Sequence, residues 1–323
     1  MRNISQKMVI GGLLLLSTMA MAQSKYPDGP IKMIVPFAAG GGVDSAARLI
    51  AKQLGTQLNV PVVVENKPGG SGSVGGKAVQ TAHPDGQTIL FSASTQALIR
   101  QVMAVPPYDP LTDFSYVARV GAAPLLMVIS PSLPQTKLSD VMAAAKQNPD
   151  KWTVALPALG AASHLGTLMF AKQGGLTNLT TAVYKGTAPA LTDVAGGHVQ
   201  IQIDSIVSLQ GMAKSGKVKP IIVTSAKRSA VMPNVPTAVE SGFPKFVTES
   251  WYGVWAPKST PNDRVQFLNK AINEAVQQLA KAGAFEPLGI DPVIESVDDF
   301  KKYMAGYVSE SADLLKGAGF KPE

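Results

Sequence analysis

Between Ile31 and Arg48 the chain reads Ile-Lys-Met-Ile-Val-Pro-Phe-Ala-Ala-Gly-Gly-Gly-Val-Asp-Ser-Ala-Ala-Arg, a short apolar run tied to a helical repeat by three consecutive glycines. Ile31 to Val35 is apolar enough for a strand covered on both faces, and Val43, Ala47, Ile50, Leu54 and Leu58 recur at helical spacing. The loop between them has almost no side chains. Gly40, Gly41 and Gly42 let a ligand approach the main chain, where the free N–H groups of a helix start attract negative charge. Asp44 is placed to cap that helix. On local residues alone the segment is either a receptor for a small anion or an ordinary glycine-rich strand-to-helix turn.

The ends of the chain restrict its setting. Met1 to Ala22 carries Arg2 and Lys7, then the apolar run Met8 to Leu16, then Ala20-Met21-Ala22, the order of a secretory signal cleaved after Ala22. The apolar run is too short for a comfortable membrane span. With no cysteine, a lipid-modified cysteine, disulfides and thiolate metal sites are all excluded. Loss of Arg2 and Lys7 lowers the formal charge from +7 to +5. The remaining basic residues are scattered singly, without interleaved aromatics, so nucleic acid is not an expected partner.

Short apolar runs alternate with helical stretches along the rest of the chain. Val60 to Glu65, Thr88 to Ser92, Leu125 to Ile129, Thr153 to Leu156, Ala182 to Tyr184, Val199 to Ile203 and Lys219 to Thr224 read as strands. Helical periodicity marks Gly75 to Ala82, Leu138 to Gln147, His164 to Gln173, Pro189 to Ala195 and Ser205 to Ser215, which makes the class α/β with largely parallel sheets. Leu126 to Pro134 and Tyr252 to Pro261 echo one another: apolar strand, proline, polar turn, second proline, then a helix. They predict two crossings between domains, one built from residues 24–123 plus 251–323 and the other from 124–250, joined by strands that bend as a hinge. A continuous split near Pro124 is the competing layout.

Catalytic and nucleotide motifs are weak. His83, His164 and His198 have no second histidine or paired acid at metal-ligand spacing, so neither a metal nor another cofactor is expected. Ser163 precedes His164 directly, but no G-x-S-x-G elbow exposes a nucleophile. Gly70, Gly72 and Gly75 match G-x-G-x-x-G, yet Asn66-Lys67-Pro68 intervene after the strand and no acidic residue closes the next strand to grip a ribose. Gly211 to Lys217 has phosphate-loop spacing, with Val218 where a hydroxyl is required. What accumulates instead is a set of polar or glycine-rich turns at strand carboxyl ends: Phe37 to Asp44, Asn66 to Gly72, Ser92 to Thr95, Pro157 to His164, Tyr184 to Thr187 and Asp204-Ser205. In open α/β sheets those ends face the ligand crevice, and their sum favours binding over chemistry.

Several of these stretches, in this order, resemble the periplasmic substrate-binding proteins of tripartite tricarboxylate transporters, the Bug proteins. They are Val35-Pro36-Phe37-Ala38-Ala39-Gly40-Gly41-Gly42-Val43-Asp44, Val63 to Gly70, His83-Pro84-Asp85-Gly86, Ser163-His164-Leu165, Tyr184 to Asp193, Pro233 to Thr237 and Trp251 to Pro257. The resemblance spans nearly the whole mature chain. It implies a two-domain periplasmic binding protein, type II-like, with a ligand cleft between domains joined by two hinge-crossing strands. It also implies a monomer that carries a small carboxylate to the transporter's membrane subunits.

Carried over position by position, Phe37, Ala39, Gly40, Gly41 and Asp44 belong to the first wall of the cleft, with Asp44 orienting the loop or a water. Ala161, Ala162, Ser163 and His164, with Tyr184, Lys185 and Gly186, belong to the second wall. Ser92, Ser94 or Thr95 would meet a second carboxylate, and Asp204 follows the later strand. Two departures matter. Where relatives often show serine, glycine and asparagine, this chain has Ala155-Leu156-Pro157-Ala158-Leu159-Gly160-Ala161-Ala162, and the usual Phe-Asp-Asn is Ile203-Asp204-Ser205. They point to a less polar pocket and to a ligand with carboxylate ends and an apolar middle, such as an aromatic dicarboxylate of the phthalate or terephthalate kind. An exported enzyme acting on a small carboxylic acid is the alternative.

Overall fold

The computed structural model describes residues 26–323. The predicted signal segment, Met1 to Ala22, lies outside the described residues. In chain order the elements are β1 (Ile31–Val35), α1 (Gly42–Leu58), β2 (Val62–Asn66), α2 (Ser73–Gln80), β3 (Thr88–Ala93), α3 (Ile99–Val102) and β4 (Phe114–Ile129). Then come α4 (Leu138–Gln147), β5 (Thr153–Leu156), α5 (Ala162–Gly174), β6 (Thr180–Val183), α6 (Thr187–Ala195), β7 (Ile201–Ser205), α7 (Ile206–Lys214) and β8 (Lys219–Val223). The chain ends with β9 (Glu249–Pro257), α8 (Asn262–Lys281), β10 (Asp291–Pro292) and α9 (Val297–Gly317).

The strands form one hydrogen-bonded network in the order β2-β1-β3-β9-β4-β7-β5-β6, with β8 and β10 also paired to β4. It has two halves, and β4 belongs to both. Phe114 to Pro124 pairs with β9, whereas Leu125 to Ile129 pairs with β7 and β8. The expectation of largely parallel sheets is corrected here. β1, β2 and β3 are parallel to one another, as are β5, β6 and β7, but every pairing of β4 and the β3–β9 pairing are antiparallel. A strand that links two halves enters each against the direction set by the βαβ units around it.

In the first half the faces divide by period two. Ile31, Met33 and Val35 share a core with Ile50 and Leu54 of α1 and with Leu268 and Ile272 of α8. Ile34, Leu90, Trp251 and Trp255 instead pack with Phe300, Met304 and Val308 of α9. The second half has its own core, in which Leu125, Met127 and Ile129 meet Val154, Leu156, Ile201, Ile203 and Phe170. Of the glycines in the G-x-G-x-x-G match, Gly75 serves this packing: a Cβ there would lie 2.8 Å from the Pro36 Cα, so the residue lets α2 rest on the end of β1.

Thr224, fully buried, ties the two segments where the chain passes between the halves. Its hydroxyl accepts from Leu125 N at 2.8 Å and donates to the Thr248 carbonyl at 2.6 Å. Thr224→Val keeps the shape and orphans both groups. We expect it to lower unfolding free energy by about 1–3 kcal/mol, measured by urea denaturation; an unchanged midpoint would show that the two groups find other partners.

Candidate functional site

The glycine loop holds a bent path between β1 and α1. Gly40 adopts φ +83°, a left-handed conformation that suits glycine, and Gly41 precedes α1 without any side-chain cap. Asp44 therefore does not cap the helix in the way expected. It lies in the first turn, buried, and its carboxylate reaches back to accept from Gly40 N at 2.9 Å. The same carboxylate accepts from Arg48 Nε at 3.0 Å and from Asn66 Nδ2 at 2.9 Å. Burial alone would raise the Asp44 pKa, but bonds from Arg48, Gly40 and Asn66 outweigh it and hold the carboxyl below its ordinary value. Asp44 thus stays ionised, fixing the loop from behind.

The cleft opens at the carboxyl ends of β1, β3, β5 and β7. One side is formed by Phe37, Gly41, Gly42 and Val43, with Ser94 and Thr95 after β3 and with Ser250 and Tyr252 of β9. The other is formed by Pro157, Ala158, Ala161 and Ala162 after β5, with Thr187 and with Asp204, Ser205 and Ser208. The sides touch. Gly42 N donates to Ser208 Oγ at 2.8 Å, the Ser205 and Tyr252 hydroxyls lie 2.8 Å apart, and Leu159 N donates to Ser71 Oγ at 3.1 Å. Phe37 packs against Ala158 and Ala161 across the gap, with Val43 beside them.

Four helices begin on this cleft: α1, α5, α6 and α7. None has a side-chain hydrogen bond from its N-cap residue. Each start offers first-turn N–H groups without intrahelical partners and the positive end of a helix dipole. Among the lining residues Asp204 and Tyr252 are the only titratable side chains, and no lysine, arginine or histidine joins them. Burial pushes the Asp204 carboxyl up to about 6, against the opposing pull of bonds from the Thr187 hydroxyl and Ser205 N. Burial likewise raises the pKa of Tyr252. One carboxylate among hydroxyls is too sparse a donor set for a divalent cation.

Of the residues expected at the site, Phe37, Gly41, Ser94, Thr95, Ala161, Ala162 and Asp204 line the cleft. The other nine lie off its wall. Ala39, Gly40 and Lys185 are exposed, and Asp44 sits behind the loop. Ser92 is buried within β3 opposite Gly253. Ser163 is wholly buried one residue inside α5. His164 accepts from Gly160 N on Nδ1 at 3.2 Å and meets the edge of Phe320 at a ring-centroid distance of 4.8 Å. Tyr184 donates to Asp193 at 2.7 Å, and Gly186 backs onto the main chain at Ala38. Helices α5 and α6 begin at Ala162 and Thr187, two residues before the expected His164 and Pro189, and that shift moves the lining positions. Gly42, Val43, Thr187 and Ser205 line the cleft from turns that the sequence marks as facing it; Ser208, Ser250 and Tyr252 were missed, although Tyr252 stands inside the Trp251 to Pro257 stretch.

Two jaws in contact, with uncapped helix starts converging between them, define a solute-binding receptor. The chain belongs to the tripartite tricarboxylate transporter family of receptors, whose profile matches residues 46–320. Protein BugT of Bordetella pertussis is 37% identical over 298 residues, covering 92% of this chain and 91% of its own. The structure of the periplasmic binding protein BugD superposes with a TM-score of 0.87 at 34% identity, covering 92% of this chain and all of BugD. R. palustris Rpa4515 with adipate gives 0.88 at 31% identity, covering 92% of this chain and all of that one. The mixed α/β fold is thus that of the periplasmic binding proteins.

Proposed function

We propose that the chain is a periplasmic receptor, not an enzyme, that binds a small dicarboxylate with an apolar middle and delivers it as a monomer to the membrane subunits of a tripartite tricarboxylate transporter. The observation that supports the ligand class is the apolar patch that Phe37 makes with Ala158 and Ala161 in the cleft lining, flanked on both sides by helix starts. Carboxylates would be held at the ends by N–H groups and hydroxyls, and the methylene or ring between them by apolar carbon. Adipate in Rpa4515 is a ligand of that shape, and terephthalate is its aromatic counterpart. In this reading residues 26–123 with 251–323 form one jaw and 124–250 the other, and they swing about the β4 crossing and the chain near Thr248.

The test is a calorimetric panel of adipate, terephthalate, malate and citrate. Adipate or terephthalate should bind at least about tenfold more tightly than citrate, a difference of about 1.4 kcal/mol. Gly42→Ala should weaken the favoured acid by a similar factor or more, because the added Cβ would stand 2.5 Å from Ser208 Oγ at the point of jaw contact. Citrate bound in preference to both diacids, or a Gly42→Ala protein with wild-type affinity, would remove the reading.

A further inference from the structure

A cleft built for anions contains one acidic side chain and no basic one. Asp204 ends β7, buried, with its carboxyl bonded to Ser205 N through one oxygen and to the Thr187 hydroxyl through the other. No cation faces it from the elements packed around it. β9 presents Tyr252, β5 contributes only Thr153 to Leu156, and the facing segment of β4 is Leu125 to Ile129. On α5, His164 is held neutral by burial and bonded to Gly160 N, and Lys172 lies in the last turn; on α6 the ionisable residue is Asp193, bonded to Tyr184 toward the far end; on α7 it is Lys214, bonded to Gln210 in the last turn. On α1, Asp44 and Arg48 satisfy each other.

We propose that Asp204 is the specificity-determining residue of the cleft and acts as a proton-carrying donor: a carboxylate ligand binds together with one proton from solvent, which resides on Asp204 and is donated in a hydrogen bond to a ligand oxygen. This inference rests on the carboxylate-receptor reading. Two carboxylates sharing one dry site cannot both stay ionised, so the site holds one proton between them. The free protein is already poised for it, since burial brings the Asp204 carboxyl to about 6 and an arriving anion raises it further. Proton uptake and ligand binding are then linked. The same group rejects ligands by chemistry: a neutral carboxyl cannot neutralise an ammonium, so simple acids are favoured over amino acids.

The test is calorimetric titration of the wild-type protein and Asp204→Asn with adipate, terephthalate and aspartate, between about pH 6 and about pH 8, in buffers of different ionisation enthalpy. In that range the simple diacids are themselves ionised, so a proton taken up belongs to the protein. Wild-type affinity for the bound diacid should fall about tenfold per pH unit at the alkaline end, with uptake approaching one proton per ligand. Asp204→Asn should bind the same diacid with a flat pH profile, and about a hundredfold more tightly than wild type near pH 8. If the variant does not fold, the wild-type slope and proton count decide alone. Diacid binding that is independent of pH and takes up no proton would overturn the inference and leave the receptor reading intact. Affinity for aspartate that rises with pH and vanishes in Asp204→Asn would overturn it in favour of an ionised Asp204 holding an ammonium. Binding of no acid at any pH would fell the carboxylate reading, and the inference with it.

Discussion

Phe300→Ala is expected to lower unfolding free energy by about 3–5 kcal/mol, the cost of removing a fully buried ring from a site that cannot collapse around the gap. The ring is wedged edge-on against Tyr116 and Trp251, with centroids 5.6 and 5.9 Å away, and tilted against Trp255 at 5.3 Å. It fits because Gly253 lies between the two tryptophans on the same face of β9, where a Cβ would come within 2.7 Å of Phe300 Cζ and 2.9 Å of Trp255. Gly253→Ala should therefore cost about 1–3 kcal/mol by overpacking. The pair supplies a sharper test than either alone. In Gly253→Ala/Phe300→Ala the new methyl enters vacated space, so the double variant should lose less than the sum of the singles. Additive losses in urea denaturation would show that the two positions do not share that space.

The second large effect concerns acid. Burial pushes the His164 imidazole down to about 4 from an ordinary 6.5, so the folded protein holds it neutral where the unfolded chain would charge it. Between those values the unfolded state binds more protons, and stability falls as pH falls from 6.5 toward 4, by up to about 3 kcal/mol. Asp204 acts with opposite sign, since its raised carboxyl lets the folded state bind more protons between 3.8 and about 6. The wild-type pH curve mixes the two. His164→Asn, which retains an acceptor for Gly160 N, separates them: the difference in unfolding free energy between the two proteins should shift steadily in the variant's favour from pH 6.5 to 4. A difference constant with pH would mean that the ring is protonated in the fold.

The glycine loop and the βα units were readable from the chain because each is a local pattern, an apolar run followed by a turn and a 3.6-residue repeat. The first half of β4 was not. Its register shifts between Tyr116 and Ala118 and again between Arg119 and Gly121, which breaks the period-two signal, and it contains Pro124. The site divides in the same way. Residues beside a strand end, such as Phe37, Ser94 and Asp204, follow from where strands stop. Ser208, in the first turn of α7, and Ser250 and Tyr252, early in an antiparallel strand, reach the cleft only through tertiary closure. His164 shows the converse: a motif residue directly beside the cleft wall whose ring is committed to Gly160 and Phe320.

The passage of β4 through both halves also orders the birth of the molecule. β3 pairs with β9, so the first half of the sheet stays incomplete until residues 249–257 join it from far along the chain. Residues 125–223 contain every strand of the second half and can close among themselves while the earlier strands wait. We expect this middle segment to form before the first half closes, which pulse-labelled hydrogen exchange during refolding would show as earlier protection of 125–223 than of 31–93. On that order the glycine loop would meet the second half already formed, and its own β9 and α9 afterwards.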